Sequence, residues 1–426
     1  MLGELMVPKS LIRGSAKDRG FADEVTESYL LRGAGRVDHV AARDDELLES
    51  IESKHQVGLL FEAIGKQYAD LGGVLDREWV KERFTEMLQV RRYALMKTCA
   101  AGSATDFDFE PLIYEGKVYH RVGGGSRNIE VRACSDDSLI TTLTGHTGYV
   151  GCLIIDDGKL YSGSGDRTIK IWNCSTDTLI KTLTGHTDWV RCLTIDDGKL
   201  YSGSDDKSVK VWNCSDHKLI TTLGVKNANS EGENVYEGHT HWVYCLTAYD
   251  GKLYSGSYDN TIKVWNLSTN KLITTLRGHT GCVWCLTIND GKLYSGSWDE
   301  TIKVWDCSTN KLITTLTEHT GTVYRLRIHG GKLYSKAYPG IKVYDCSDDT
   351  LITTLEDHTS HVWCLEIHDG KLYTGSLDRT INVYDCSDDS LITTLRGHTA
   401  FVDDLAIGDG ELYSASDDHT IKMWKL

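Results

Sequence analysis

GHTGCVWCLTINDGKLYSGSWDETIKVWDCSTNKLITTL, residues 278–316, decides the fold, because close copies of it recur along most of the chain. The histidines that open the copies are His146, His186, His239, His279, His319, His358 and His398, spaced by 40, 53, 40, 40, 39 and 40 residues. Each copy reads as four short strands. VWCLTI and KLYSGS flank the polar turn NDG, TIKVW follows a tight turn at SWDE, and KLITTL closes the unit after another polar turn. Val, Ile, Thr, Tyr and Trp suit a pleated surface, whereas Asp, Asn and Gly suit turns. No copy carries a helical period, which excludes an αβ solenoid. Repeated four-stranded antiparallel units of about 40 residues pack radially, each sheet covering the faces of its neighbours.

The copies resemble the WD40-repeat family. Its Gly-His near the start and Trp-Asp at the end of the third strand stand here as Gly278-His279 and Trp305-Asp306, with variants such as Trp172-Asn173, Tyr344-Asp345 and Tyr384-Asp385. The resemblance implies an all-β propeller. It also implies a structural hydrogen-bond set within each blade, here His279, Ser295, Asp299 and Trp305. A His/Ser/Asp constellation repeated in nearly every unit is a folding device and not a catalytic triad. The fifth copy departs from the pattern, because KAYPG at 336–340 lacks the turn aspartate.

Blade number follows from the two ends. PLIYEGKVYH at 111–120 and NIEVRACSDDSLITTL at 128–143 match later copies in outline, so 105–143 reads as a degenerate first blade. The last copy ends after its third strand, and ALMKTC at 94–99 resembles LIKTL at 179–183 and can supply the fourth. Eight blades over 94–426 therefore fit better than seven, with the exposed edges removed. If 94–134 is not a blade, 138–143 closes a seven-bladed ring. Residues 1–93 read as a helical extension. Leu60, Ile64, Tyr68 and Leu71 recur at helical spacing up to Gly72-Gly73, and Asp76 can cap a second helix bearing Val80, Phe84, Met87 and Leu88. The first ~40 residues are poorly patterned and read as extended or partly disordered.

Charge and composition narrow the function. The net charge of −15 argues against general nucleic-acid binding. The first residues lack the apolar core of a signal peptide, and no stretch approaches the ~20 apolar residues of a membrane helix, so a cytoplasmic protein in a reducing compartment is expected. Eleven of the thirteen cysteines repeat at two fixed positions of the unit, which points to small packed residues and to no metal site. No phosphate loop or isolated nucleophile suggests an enzyme, and no cofactor is implied.

By the resemblance, partners bind the face formed by the loops entering the first strand and the turns before the third. The exposed positions there flank the first-strand valine and precede the turn aspartate. They yield Tyr149, Trp189, Arg191, Trp242, Tyr244, Tyr258, Trp284, Trp298, Tyr324, Trp363, Phe401 and Asp403 as candidate partner-binding residues. Aromatic clusters with an arginine suit protein-interface hot spots. The alternative for Trp284 and Trp363 is packing between blades. The insert at 224–237 interrupts a loop on the same face, and aspartate pairs such as Asp348-Asp349 and Asp388-Asp389 make the opposite face a solvated acidic rim. A protein-interaction scaffold is the leading expectation, with self-association through the N-terminal helices. A structural subunit of a large assembly and a ubiquitin-ligase substrate receptor are the alternatives, although no F-box pattern is visible.

Overall fold

The computed structural model describes residues 112–121, 126–134, 138–224, 237–337, 340–408, 410–418 and 420–426, together with the backbone of 95–100. The helical hairpin read at 60–88, the unpatterned first 40 residues and most of the insert, 225–236, lie outside the described residues, among which there is no helix. The described strands form eight four-stranded antiparallel sheets. Seven are continuous in sequence, at 112–143, 150–183, 190–222, 243–276, 283–316, 325–355 and 362–396, and are named blades 1 to 7. Blade 8 joins Val402–Gly408, Glu411–Ser416 and Thr420–Lys425 to Leu95–Ala100 from the other end of the chain. The chain is thus an eight-bladed propeller.

Blade 5 shows why the repeat folds this way. Its strands are Val283–Asn289, Lys292–Ser297, Ile302–Asp306 and Leu312–Leu316. Asp290 and Gly291 connect the first two with φ of 45° and 76°, a two-residue turn with both centres left-handed whose twist matches the flanking strands. Aspartate tolerates that region and glycine occupies it freely, which is why Asp-Gly recurs at 157–158, 197–198, 250–251 and 369–370. At the next turn, Oδ1 of Asp306 accepts the N–H groups of Ser308 at 2.8 Å and Thr309 at 2.7 Å, so the residue after the tryptophan caps the chain reversal.

The core lies between blades. Tyr254, Ile262, Val264 and Leu276 of blade 4 pack on Val283, Leu293, Trp305 and Cys307 of blade 5. Equivalent clusters fill every joint, including that between Tyr413, Ile421 and Met423 of blade 8 and Val118 and Cys134 of blade 1. The approach is close: a Cβ on Gly296 would lie 2.6 Å from Sγ of Cys285 and 2.7 Å from Cγ1 of Val323 in the next blade. Only glycine fits there.

A polar staple runs across several joints on the face opposite the aromatic positions. Lys292 Nζ donates to Asp349 at 2.9 Å, and Tyr294 Oη donates to the same carboxylate at 2.9 Å. Lys332 and Tyr334 hold Asp389 in the same way, at 2.7 and 3.0 Å, and Lys117 reaches Asp177 at 2.7 Å. Asp349 is buried and Asp389 half-buried, so the rim read as solvated carries carboxylates that bind neighbouring blades together. Blade 5 has Asn310 at this place. Its Oδ1 is shielded from water without a hydrogen-bond partner, and Lys252 across the joint donates to the Cys307 carbonyl. Asn310 has φ of 56°, and the staple aspartates Asp177 and Asp349 have 55° and 62°, so the backbone already suits aspartate. Asn310→Asp is expected to stabilise the fold by about 0.5–1 kcal/mol through an ion pair with Lys252, read as a higher denaturant midpoint at unchanged slope.

Candidate partner-binding face

Six of the eight blades, 2 to 5, 7 and 8, hold their face-forming loops with one buried polar set. In blade 5 the Asp299 carboxylate can only accept, so His279 Nδ1 carries a proton and donates to it at 2.8 Å. His279 Nε2 meets Ser295 Oγ at 2.8 Å, and Trp305 Nε1 donates to that oxygen at 2.9 Å. Asp299 also accepts the Thr280 N–H at 2.8 Å and the Thr301 hydroxyl at 2.6 Å, which ties the first-strand loop to the turn before the third strand. Burial raises the Asp299 pKa, but hydrogen bonds from His279, Thr301 and Thr280 outweigh it and hold the carboxyl well below its usual range. Blades 2, 3, 4 and 8 repeat the set through His146, His186, His239 and His398, and blade 7 substitutes Thr374 and Tyr384. Blade 6, without the turn aspartate, keeps the 2.6 Å contact of His319 with Ser335, and Tyr344 donates to Glu318 at 3.2 Å. Burial and Lys342 push His319 down to about 3.

The same device aims the candidate residues. Between Val283 and Cys285 the pairing slips from Ser297 to Gly296, so Trp284 is the extra residue of a β-bulge, which turns its side chain out of the ladder. Arg191, Tyr244, Trp363 and Asp403 sit in identical bulges. The carbonyl before each valine accepts the N–H before each turn aspartate, as in Tyr258 to Trp242 and Trp298 to Cys282, both at 2.9 Å. Residues far apart in sequence therefore stand side by side.

Most of the candidate residues form one band. Tyr149 is centred 6.0 Å from Trp189, and the Arg191 guanidinium lies 3.7 Å above the Trp189 ring and within 6.0 Å of Trp242 and Tyr244. Trp242 meets Tyr258 at 5.5 Å, and Tyr258 meets Trp298 at 6.0 Å. Nearer the axis, Tyr244 stacks on Trp284 at 4.3 Å and Trp284 approaches Tyr324 at 6.0 Å. Lys336 ends the band, 5.7 Å from Tyr324 and 5.6 Å from Trp363. Trp298 and Tyr149 are the most open, at 52% and 45% exposure, whereas Trp284, Trp363 and Phe401 are half-buried. Asp403 departs from the exposed position expected of it. It is 7% exposed, because the blade 8 strand around it is buried from Val402 to Ala406.

Several residues of the face were not singled out as partner-binding from sequence, although Asp205 precedes a turn aspartate, a position expected to be exposed, and is instead buried. His241 lies 4.4 Å from Tyr258 and 4.9 Å from Trp242, and Asp205 grips Arg191 through Nε at 2.9 Å and Nη2 at 2.7 Å. Arg325 and Lys336 face each other in register, where blades 2 to 5 place a Cys opposite a Gly. That break in the repeat was a usable signal. Charge also reaches other positions of the first strands of blades 6 and 7, where Arg327 lies 3.8 Å from Glu366. Burial raises Glu366 while Arg325 opposes it.

Eight radial sheets, five of them locked by a full histidine–serine–aspartate–tryptophan set, define the WD-repeat class of propeller. The model of the WD domain, G-beta repeat (WD40), matches residues 137–173, 177–213, 231–266, 270–306, 349–385 and 389–425, more than half of the chain. The chain belongs to the WD40 family. Five of the six segments begin at the outer strand of one blade, or just before it, and end with the third strand of the next, whereas 231–266 begins within the insert that follows the outer strand of blade 3. Among curated proteins, the chain is 50% identical over 42 residues to the probable E3 ubiquitin ligase complex SCF subunit sconB of Arthroderma benhamiae, and 49% identical over 43 residues to scon-2 of Neurospora crassa. Those stretches cover 10% of this chain but only 6% and 7% of the relatives, about one repeat. A crystal structure of the computationally designed Ika8 protein is 26% identical with a TM-score of 0.66, over 77% of this chain and 98% of that one.

The buried sets make the fold sensitive to acid. Burial lowers His186, His239 and His398 against the raising pull of Asp206, Asp259 and Asp418. The unfolded chain therefore takes up protons near pH ~6.5 that the folded chain refuses, and stability falls as pH drops below that value. Asp206, Asp259 and Asp299 are lowered, so their stabilisation is present above pH ~4 and is lost as pH falls further. Thermal melting should decline from pH 7.5 to 5 and more steeply below 4, and a flat profile down to pH 5 would contradict neutral histidines. Ser295→Ala should cost at least about 1–3 kcal/mol in equilibrium unfolding, because it strands both His279 Nε2 and Trp305 Nε1 in a buried place.

Proposed function

We propose that this propeller is a protein-interaction scaffold that grips a peptide or domain of a partner on its aromatic face. The supporting observation is the band from Tyr149 through Trp189, Trp242, Tyr258 and Trp298, its rings half-buried or open and braced against one another, with Arg191 bridging Trp189 and Trp242. Braced rings offer large contact area at low entropic cost, as interface hot spots require. Arg191 is held by Asp205 and stacked on Trp189, so the surface is ordered before a partner arrives. The His/Ser/Asp sets have their polar groups committed to the blade, which favours a binding role over an enzymatic one. Residues 1–93 would join a second component or another copy, and we place the protein in the cytoplasm.

A second reading, as the substrate receptor of an SCF-type ubiquitin ligase, draws on the names of the sconB and scon-2 relatives. That likeness extends over one repeat, a unit shaped by blade packing, so it carries less weight than the aromatic band. Affinity capture from native extract separates the two. A scaffold loses its partner when Trp242→Ala and Trp298→Ala are combined, whereas a ligase receptor also retains ligase subunits that this variant leaves in place. Each truncation is expected to weaken partner binding by roughly thirtyfold, about 2 kcal/mol, with circular dichroism unchanged. Partner retention by the double variant at wild-type affinity would reject the site.

A further inference from the structure

Blades 3 and 8 have the same backbone at the face and opposite chemistry on it. Val190 pairs with Ser204 and Val402 with Ser416, each followed by the same one-residue bulge. The Asp205 N–H donates to the Trp189 carbonyl at 2.9 Å, and the Asp417 N–H donates to the Phe401 carbonyl at 3.2 Å. Register therefore equates Trp189 with Phe401, Arg191 with Asp403 and Asp205 with Asp417. In blade 3 the set is complete: an aromatic ring, a guanidinium 3.7 Å above it, and a carboxylate binding that guanidinium through two nitrogens.

Blade 8 keeps the ring and the carboxylate and replaces the arginine with a much shorter side chain. Asp403 is buried and shares the surroundings of Cys364 with Asp404, Arg325 and Lys336. Asp417 is left over. Its Oδ1 is shielded from water and has no hydrogen-bond partner, an unfavourable state for a carboxylate unless a donor fills the gap. Arg191 is spent on Asp205, and no donor among the described residues reaches Asp417 Oδ1.

The geometry points to a site for an arginine of the partner, its guanidinium stacked on Phe401 and held by Asp417, as Arg191 lies on Trp189 and is held by Asp205. The inference rests on the reading of the aromatic face as a docking surface, and it specifies the occupant: a basic segment with an arginine beside apolar residues that reach the ring band. Charge agrees, since the chain carries a net −15. The planar fork selects arginine over lysine, because a point ammonium cannot both lie flat on a ring and bridge a carboxylate.

The test uses the full-length protein, immobilised, and three pools of nonapeptides degenerate except for a central arginine, lysine or alanine. The arginine pool should be retained at least tenfold more strongly than the alanine pool and more strongly than the lysine pool. Asp417→Asn should abolish that preference, and Phe401→Ala, which removes the ring and leaves the carboxylate, should reduce it severalfold. Trp242→Ala with Trp298→Ala should weaken all three pools alike. Equal retention of the arginine and alanine pools, no retention of any pool, or an arginine preference that survives Asp417→Asn would overturn the site. Equal pools that still depend on Trp242 and Trp298 would leave the docking face standing without its arginine site. Capture of the native partner tests the face separately.

Discussion

Leu95–Ala100 runs antiparallel to Thr420–Lys425, pairing Cys99 with Ile421 and Ala100 with Thr420, and through this ladder both ends of the described propeller hold one blade. Without it, blade 8 would present an open edge, and the Val118, Tyr413 and Met423 cluster would lack the closing constraint that presses blade 8 on blade 1. Every other joint depends on it indirectly. Each blade buries its faces only on its neighbours, so a ring opened at one joint exposes apolar surface on two sheets.

Closure also fixes where function can lie. Because the blades pack face to face, their side chains are spent on the joints, and the described propeller is left with its two faces and its outer edge to offer a partner. On one end the staple carboxylates Asp349 and Asp389 are committed to Lys292 and Lys332. On the other, a bulge in the first strand of blades 2 to 5, 7 and 8 turns a residue out of the ladder, and the buried histidine set fixes the loop that holds it. Rigid support beneath variable positions is the arrangement that lets a repeated fold carry a specific surface.

The face is not uniform around the ring. Blades 2 to 5 keep the Cys-opposite-Gly pair and carry the aromatic band, while blades 6 and 8 replace that pair with Arg325 and Lys336 and with Asp404 and Ala415. A segment lying across this face would meet rings at one side and charge at the other. Such polarity favours one orientation of a bound chain over its reverse.

Much of this was legible in the residues. The repeat period, the four strands of each copy, the Asp-Gly turns and the count of eight blades follow from a spacing of about 40 residues and from propensities that act within a few positions. The sets like that around His279 were legible because the same residue types return in most copies. The sequence also located the aromatic positions, since they flank a recognisable valine. It could not show that Arg191 lies on Trp189 and is gripped by Asp205, that Asp403 is buried, or that Asp349 and Asp389 staple neighbouring blades. Those outcomes depend on distances between residues in different strands and different blades, and only the closed ring sets them.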